Sequence, residues 1–122
     1  MNALILFAHG ARDARWAEPF EAIAVRIRQA DPGRRVELAF LELMTPDLAE
    51  AARRAATAGA TRIDVVPLFL GTGGHLRQDL PPLVEGLRRS HPGLDIRLHE
   101  AIGENEAVIA AIAAAALATT LR

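Results

Sequence analysis

The sequence contains no cysteine. A disulfide framework, a thiolate nucleophile, an iron–sulfur cluster and a cysteine zinc site are all excluded together, so any metal must sit on nitrogen and oxygen ligands. There is no surplus of charge either: 14 basic and 15 acidic residues leave a net charge of −1. Basic residues dispersed among acidic ones give no electrostatic footprint for nucleic acid. A long hydrophobic run is also missing. The apolar stretch from Ala3 to Ala8 has no basic leader and is far shorter than the roughly 20 residues of a membrane span. No membrane association is expected, and a cytoplasmic protein is the simplest reading.

What remains is enough for a core. With 122 residues, 51% of them hydrophobic, the chain fits one compact domain spanning residues 1–122. Ala3–Ala8 is too short for a helix and reads as a strand buried on both faces. From Asp13 to Ala30, apolar residues recur at Trp16, Phe20, Ile23, Ala24 and Ile27, a helical stripe ended by Asp31-Pro32-Gly33. Arg35–Leu41 is a second strand; Thr45-Pro46 offers an N-cap and a first-turn proline for an alanine-rich helix running to Gly59. A third strand, Arg62–Phe69, leads through Gly71-Thr72-Gly73-Gly74 to a stripe at Leu80, Leu83, Val84 and Leu87, whose helix Pro81 and Pro82 place near Asp79. Leu94–His99 is a fourth strand, and a last helix carries Val108, Ile109, Ile112, Ala116 and Leu117. Such β–α alternation predicts an α/β three-layer sandwich: a four-stranded parallel sheet with right-handed crossovers and helices on both faces.

Open parallel sheets bind ligands beyond the carboxyl ends of their strands, where the loops diverge. There the chain places His9-Gly10-Ala11-Arg12 after strand one, Glu42 after strand two, and the glycine loop leading to His75 after strand three. Two imidazoles and a carboxylate suit Co²⁺, Fe²⁺, Ni²⁺ or Zn²⁺ and leave coordination positions open, which favours transfer or catalysis over structure. A histidine at a strand end serves equally well as a loop residue bonded to backbone; it is the convergence of both beside Glu42 that raises the ligand reading. Glu42 is also readable as a solvated charge. The glycine loop lacks the lysine and Ser/Thr of a P-loop and the spacing of a dinucleotide fingerprint, so no nucleotide is expected. Its glycines either let backbone approach a large ligand or supply positive φ for a tight turn. Arg12, Arg15 and Arg77 are candidates to pair with ligand carboxylates, or are ordinary solvated arginines. His99 is an outside candidate, and His91 is a surface turn residue. A histidine phosphatase is disfavoured because Ala8, not arginine, precedes His9.

The segments LILFAHGARD, AFLELMTPDLAEA and VVPLFLGTGGHLRQDLP resemble, in that order and over nearly the whole chain, the small class II chelatases of the CbiX type. The resemblance implies half of a two-domain chelatase fold and ATP-independent insertion of Co²⁺, or of Fe²⁺ or Ni²⁺, into sirohydrochlorin, the metal being a substrate. It implies metal binding and catalysis at His9 and His75 with Glu42 as acidic partner, and contact with the carboxylate-rich tetrapyrrole at Arg12, Gly73, Gly74 and Arg77. Many relatives resemble His-Gly-Ser-Arg in the first motif, where this chain has Ala11, so a serine-dependent hydrogen bond is lost. Longer relatives resemble two such domains facing each other, so a homodimer is expected here. The alternative is a metal or tetrapyrrole carrier that binds without accelerating insertion.

Overall fold

The computed structural model describes residues 1–71 and 73–121, and of His75 only the backbone. Four strands form one parallel sheet in the order β2-β1-β3-β4. β1 (Asn2–Ala8) lies between β2 (Arg35–Phe40) and β3 (Arg62–Pro67), with Phe7 in register with Ala39 on one side and Pro67 on the other. Its central position explains the unbroken apolar run, since both faces and both edges are covered. β4 (Asp95–Leu98) closes the far edge against β3.

Asp13 opens the first helical segment as expected, but through a 3₁₀ turn, Ala14–Ala17, whose free Arg15 N–H the Asp13 carboxylate accepts. α1 (Glu18–Ala30) then packs Ala24 over Leu6 and Val36, while Trp16 and Phe20 stack 4.6 Å apart beside Phe40. α2 (Leu48–Thr57) is capped by Asp47, which accepts the Glu50 N–H, rather than by Thr45 with Pro46 in the first turn. The Thr45–Pro46 bond is cis, and the Pro46 carbonyl instead accepts the Phe40 N–H. α2 buries Leu48, Ala51, Ala52 and Ala55, and Gly59 turns the chain out with φ +98°.

The third helix departs from expectation at its start. α3 (Gly74–Ser90) begins on the N-cap Gly73, and Pro81 and Pro82 lie inside it. They remove the donors that Arg77 and Gln78 carbonyls would otherwise use, while Leu80, Val84 and Leu87 stay buried against β1, β3 and β4. Leu83 points largely to solvent. Packing of that stripe outweighs two missing bonds on the outer side.

The two faces of the sheet are unlike. α2 and α3 cover one, with Ile5, Phe7, Ile63, Val65 and Ile96 beneath them; α1 covers β1 and β2 on the other. On the β3–β4 half of that second face the alternate residues are charged. Asp64, only 6% exposed, accepts two bonds from the Arg62 guanidinium and lies 2.7 Å from His99 Nε2; Arg97 pairs with Asp95. Burial alone would raise the Asp64 carboxyl, but the bonds from Arg62 and His99 and their charges hold it below the usual carboxylate range.

α4 (Glu106–Thr120) joins neither layer. Asn105 caps it by accepting the Ala107 and Val108 N–H groups, yet none of its residues is buried. Ile109, Ile112 and Leu117 are 45, 46 and 62% exposed, each forgoing much of the roughly 1.5–3 kcal/mol that burial of such a side chain yields. Among the described residues, no helix is long and apolar enough to cross a membrane.

Candidate functional site

At the carboxyl edge of the sheet, His9 and Glu42 come together as their strand ends predict. His9 Nε2 lies 3.2 Å from Glu42 Oε1, both side chains about half exposed. A carboxylate oxygen accepts, so in this bond the imidazole nitrogen is the donor. The other side of the ring meets Phe69 edge-on, with centroids 6.1 Å apart, and Phe69 in turn packs edge-on against Phe7 in the core. His9 is thus held between a core aromatic and a carboxylate.

The backbone explains why glycine follows this histidine. The Glu42 N–H donates to the His9 carbonyl at 3.0 Å, and a Cβ on Gly10 would stand 1.9 Å from the Glu42 carbonyl oxygen. Gly10 also has φ +101°. Only glycine lets the two loops lie this close. Glu42 is followed by Leu43 at φ 65°, with the Met44 N–H donating back to the Glu42 carbonyl at 2.8 Å. This is a γ-turn around a left-handed leucine, an uncommon and strained arrangement. The Leu43 side chain is 59% exposed, so burial of that side chain does not account for its conformation.

His75 lies in the first turn of α3; its side chain is outside the described residues, as is Thr72. Of the loop glycines that are described, Gly71, Gly73 and Gly74 have no positive φ and nothing within 4 Å of a built Cβ. The tight-turn reading of that loop is therefore overturned for these three, and their backbone stays open to approach from outside.

The arginines divide. Arg15 pairs with Asp13 at 2.9 Å, and Arg77 lies 3.4 Å from Glu104. Arg12 is exposed and makes no ion pair among the described residues. His91 ends α3 as its C-cap, and His99 is turned to Asp64, away from the His9–Glu42 pair in hydrogen bonding. Nothing in the sequence signalled Gly103, whose N–H donates to the Phe69 carbonyl and whose Cβ would stand 1.9 Å from the Leu70 carbonyl oxygen. It ties the chain after β4 to the rim of the site. The Phe69 contact and the strain at Leu43 also escaped sequence reading, because each depends on which strand end faces which.

Two open grooves flank the edge. One, of about 450 Å³, runs along Glu42, Leu43 and Met44; another, of about 290 Å³, lies between Arg77, His99 and Glu104. Neither reaches far into the size range of pockets that enclose a ligand, roughly 300–1,000 Å³.

Comparison with known proteins places the chain in a family. The model of the CbiX family matches residues 3–119. A sirohydrochlorin cobaltochelatase of Methanopyrus kandleri is 36% identical over 84 residues, covering 69% of this chain and 59% of that protein. A sirohydrochlorin ferrochelatase of Priestia megaterium is 28% identical over 109 residues, covering 89% of this chain but 41% of that protein. The chain thus spans roughly half of these two relatives. The crystal structure of a putative cobalamin biosynthesis CbiX protein from Marinobacter aquaeolei VT8 superposes with a TM-score of 0.88 at 38% identity, covering 100% of this chain and 99% of that one. The chain belongs to the CbiX family.

Proposed function

We propose that this chain inserts a divalent metal, Co²⁺ first with Fe²⁺ or Ni²⁺ as alternatives, into a sirohydrochlorin-type tetrapyrrole without a nucleotide. The observation that carries this is the His9–Glu42 pair at the carboxyl edge, an imidazole and a carboxylate 3.2 Å apart with open space before them. The relatives named sirohydrochlorin cobaltochelatase and sirohydrochlorin ferrochelatase support the substrate class and leave both metals in play.

In this reading His9, Glu42 and His75 hold the incoming ion, and His9 and His75 take up protons. Insertion replaces two pyrrole N–H bonds by metal–nitrogen bonds and releases two protons, so an acceptor is required at the site. A ring nitrogen of His9, its lone pair freed as the ion passes to the macrocycle, is suited to that task. Arg12 and Arg77 meet the substrate's carboxylates, and Gly73 and Gly74 let the macrocycle lie close to backbone. We place the activity in residues 1–122 as a single domain, working as a cytoplasmic homodimer.

The test is anaerobic mixing of the protein with sirohydrochlorin and Co²⁺, Fe²⁺ or Ni²⁺ while the visible spectrum is followed. His9→Ala and His75→Ala are each expected to slow insertion by roughly 10²-fold or more. Tight binding of metal or tetrapyrrole with no acceleration over the uncatalysed rate would make the chain a carrier instead.

A further inference from the structure

We propose that Phe69 is a positioning residue for metal insertion: its ring, fixed from the core and from the chain after β4, sets the plane of the His9 imidazole. This deepens the proposed function at the same site and rests on that reading.

The two groups that touch the His9 ring differ in what holds them. The Glu42 side chain is 56% exposed and that of His9 48%. A single bond of 3.2 Å between two such groups competes with water and is a weak restraint. In the proposed function that bond is also temporary, because both side chains must turn to the incoming ion. Phe69 is only 7% exposed. Its ring meets Phe7 edge-on at 6.0 Å with planes at 69°, and His9 at 6.1 Å and 73°, so one ring links the core to the site. The contact to His9 needs no charge and does not depend on whether Glu42 is engaged.

The backbone of Phe69 is fixed as well. Just past the end of β3 at Pro67, the Leu68 N–H donates to the Phe7 carbonyl at 2.7 Å, and the Gly103 N–H donates to the Phe69 carbonyl at 2.9 Å. Gly103 comes this close because it has no side chain: a Cβ there would stand 1.9 Å from the Leu70 carbonyl oxygen and 2.4 Å from the Leu70 Cα. Beyond Phe69 the packing ends. Leu70 is 71% exposed, and a Cβ on Gly71 would meet nothing among the described residues. Filling volume at this point would ask only for a large apolar side chain. Setting the tilt of an imidazole asks for a flat ring, whose face and edge carry opposite partial charge.

Phe69→Leu tests this on the intact chain, with Phe69→Tyr as the variant that keeps the ring and Leu87→Ala as a core truncation at the far end of α3. In metal-free protein, proton NMR of wild type is expected to show one His9 side-chain rotamer with nuclear Overhauser contacts to the Phe69 ring. Phe69→Leu should show averaged rotamers, and Leu87→Ala the wild-type pattern. In insertion assays with sirohydrochlorin and Co²⁺, Phe69→Leu should lower kcat roughly 10–100-fold while KM for the tetrapyrrole stays within about twofold. Phe69→Tyr should recover most of that loss, and Leu87→Ala should keep kcat. Gly103→Ala, whose Cβ would meet Leu70 and not His9, should give the same split as Phe69→Leu. A leucine variant with the wild-type His9 rotamer and kcat, a tyrosine variant no better than leucine, or an equal loss of kcat in Leu87→Ala would overturn the proposal. If wild type inserts no metal, the chelatase reading fails; the rotamer comparison, which needs neither metal nor tetrapyrrole, still decides whether Phe69 orients His9.

Discussion

The two lips of the sheet's carboxyl edge are built on opposite plans. The lip after β1 and β2 is clasped: the Glu42 N–H is bonded to the His9 carbonyl, Gly10 is pressed against the Glu42 carbonyl, and Leu43 is held at positive φ. The lip after β3 is open around Gly71, Gly73 and Gly74, where a Cβ would meet nothing among the described residues. In the proposed function, the clasped lip fixes the geometry of His9 and Glu42, and the open one leaves room for a large flat substrate beside the helix that carries His75. Each lip can be broken in its own way.

The largest effect is expected at Gly10. Alanine there would place a Cβ 1.9 Å from a backbone oxygen at φ +101°, so one loop must move. A loss of roughly 3–4 kcal/mol is expected, read as a fall of about 10–20 °C in thermal midpoint, together with loss of metal binding. An Ala variant as stable as wild type would show that the two loops can separate at no cost.

Glu42→Gln sharpens the comparison at the level of chemistry. The amide keeps the shape and a hydrogen bond but removes the negative charge beside His9. Metal affinity by titration calorimetry should fall about 10–100-fold, with the thermal midpoint nearly unchanged. Equal affinity in both proteins would return Glu42 to the role of a solvated charge.

Leu43→Gly addresses the strain directly. A left-handed leucine costs roughly 1–2 kcal/mol, of which glycine recovers part and returns part as chain entropy. The variant is expected to be as stable as wild type or up to about 1 kcal/mol more so in urea unfolding. The side chain is mostly solvent-exposed beside the site; if it meets the substrate in the proposed function, KM for the tetrapyrrole should rise while kcat holds. A destabilised Gly variant would instead mean that Leu43 packs for stability.

The strands, their parallel direction and the His9–Glu42 meeting were legible in the sequence because each follows from a local pattern: an apolar run, a helical stripe, a polar residue at a strand end; the order of the strands in the sheet was not. What was not legible depended on pairs far apart in the chain. Gly10 matters because of Glu42, Gly103 because of Leu70, and neither partner is visible from a neighbouring residue. The start of α3 was misplaced for a related reason, since Pro81 and Pro82 argue locally for a helix boundary while Leu76, Leu80, Val84 and Leu87 bury a common face across them. Tertiary packing overruled the local signal. The seating of α4 was likewise hidden, because an alanine-rich apolar helix reads the same whether it covers its own sheet or another chain.

The smallest effect on the fold belongs to the open lip. Gly73→Ala adds a methyl at an N-cap with φ −65° and ψ 167°, values any residue adopts, into open space. Stability should change by no more than about 0.5–1 kcal/mol, and could rise because alanine has less freedom to lose on folding. If the loop's openness serves only the chain, nothing else should follow. If it admits the macrocycle against backbone, the same methyl should raise KM for sirohydrochlorin several-fold while metal affinity stays near the wild-type value, because the N-cap geometry that begins the helix carrying His75 is one any residue adopts. Gly10→Ala and Gly73→Ala therefore make a matched pair: one methyl expected to disable the fold and the metal, the other expected to spare both and obstruct only the substrate.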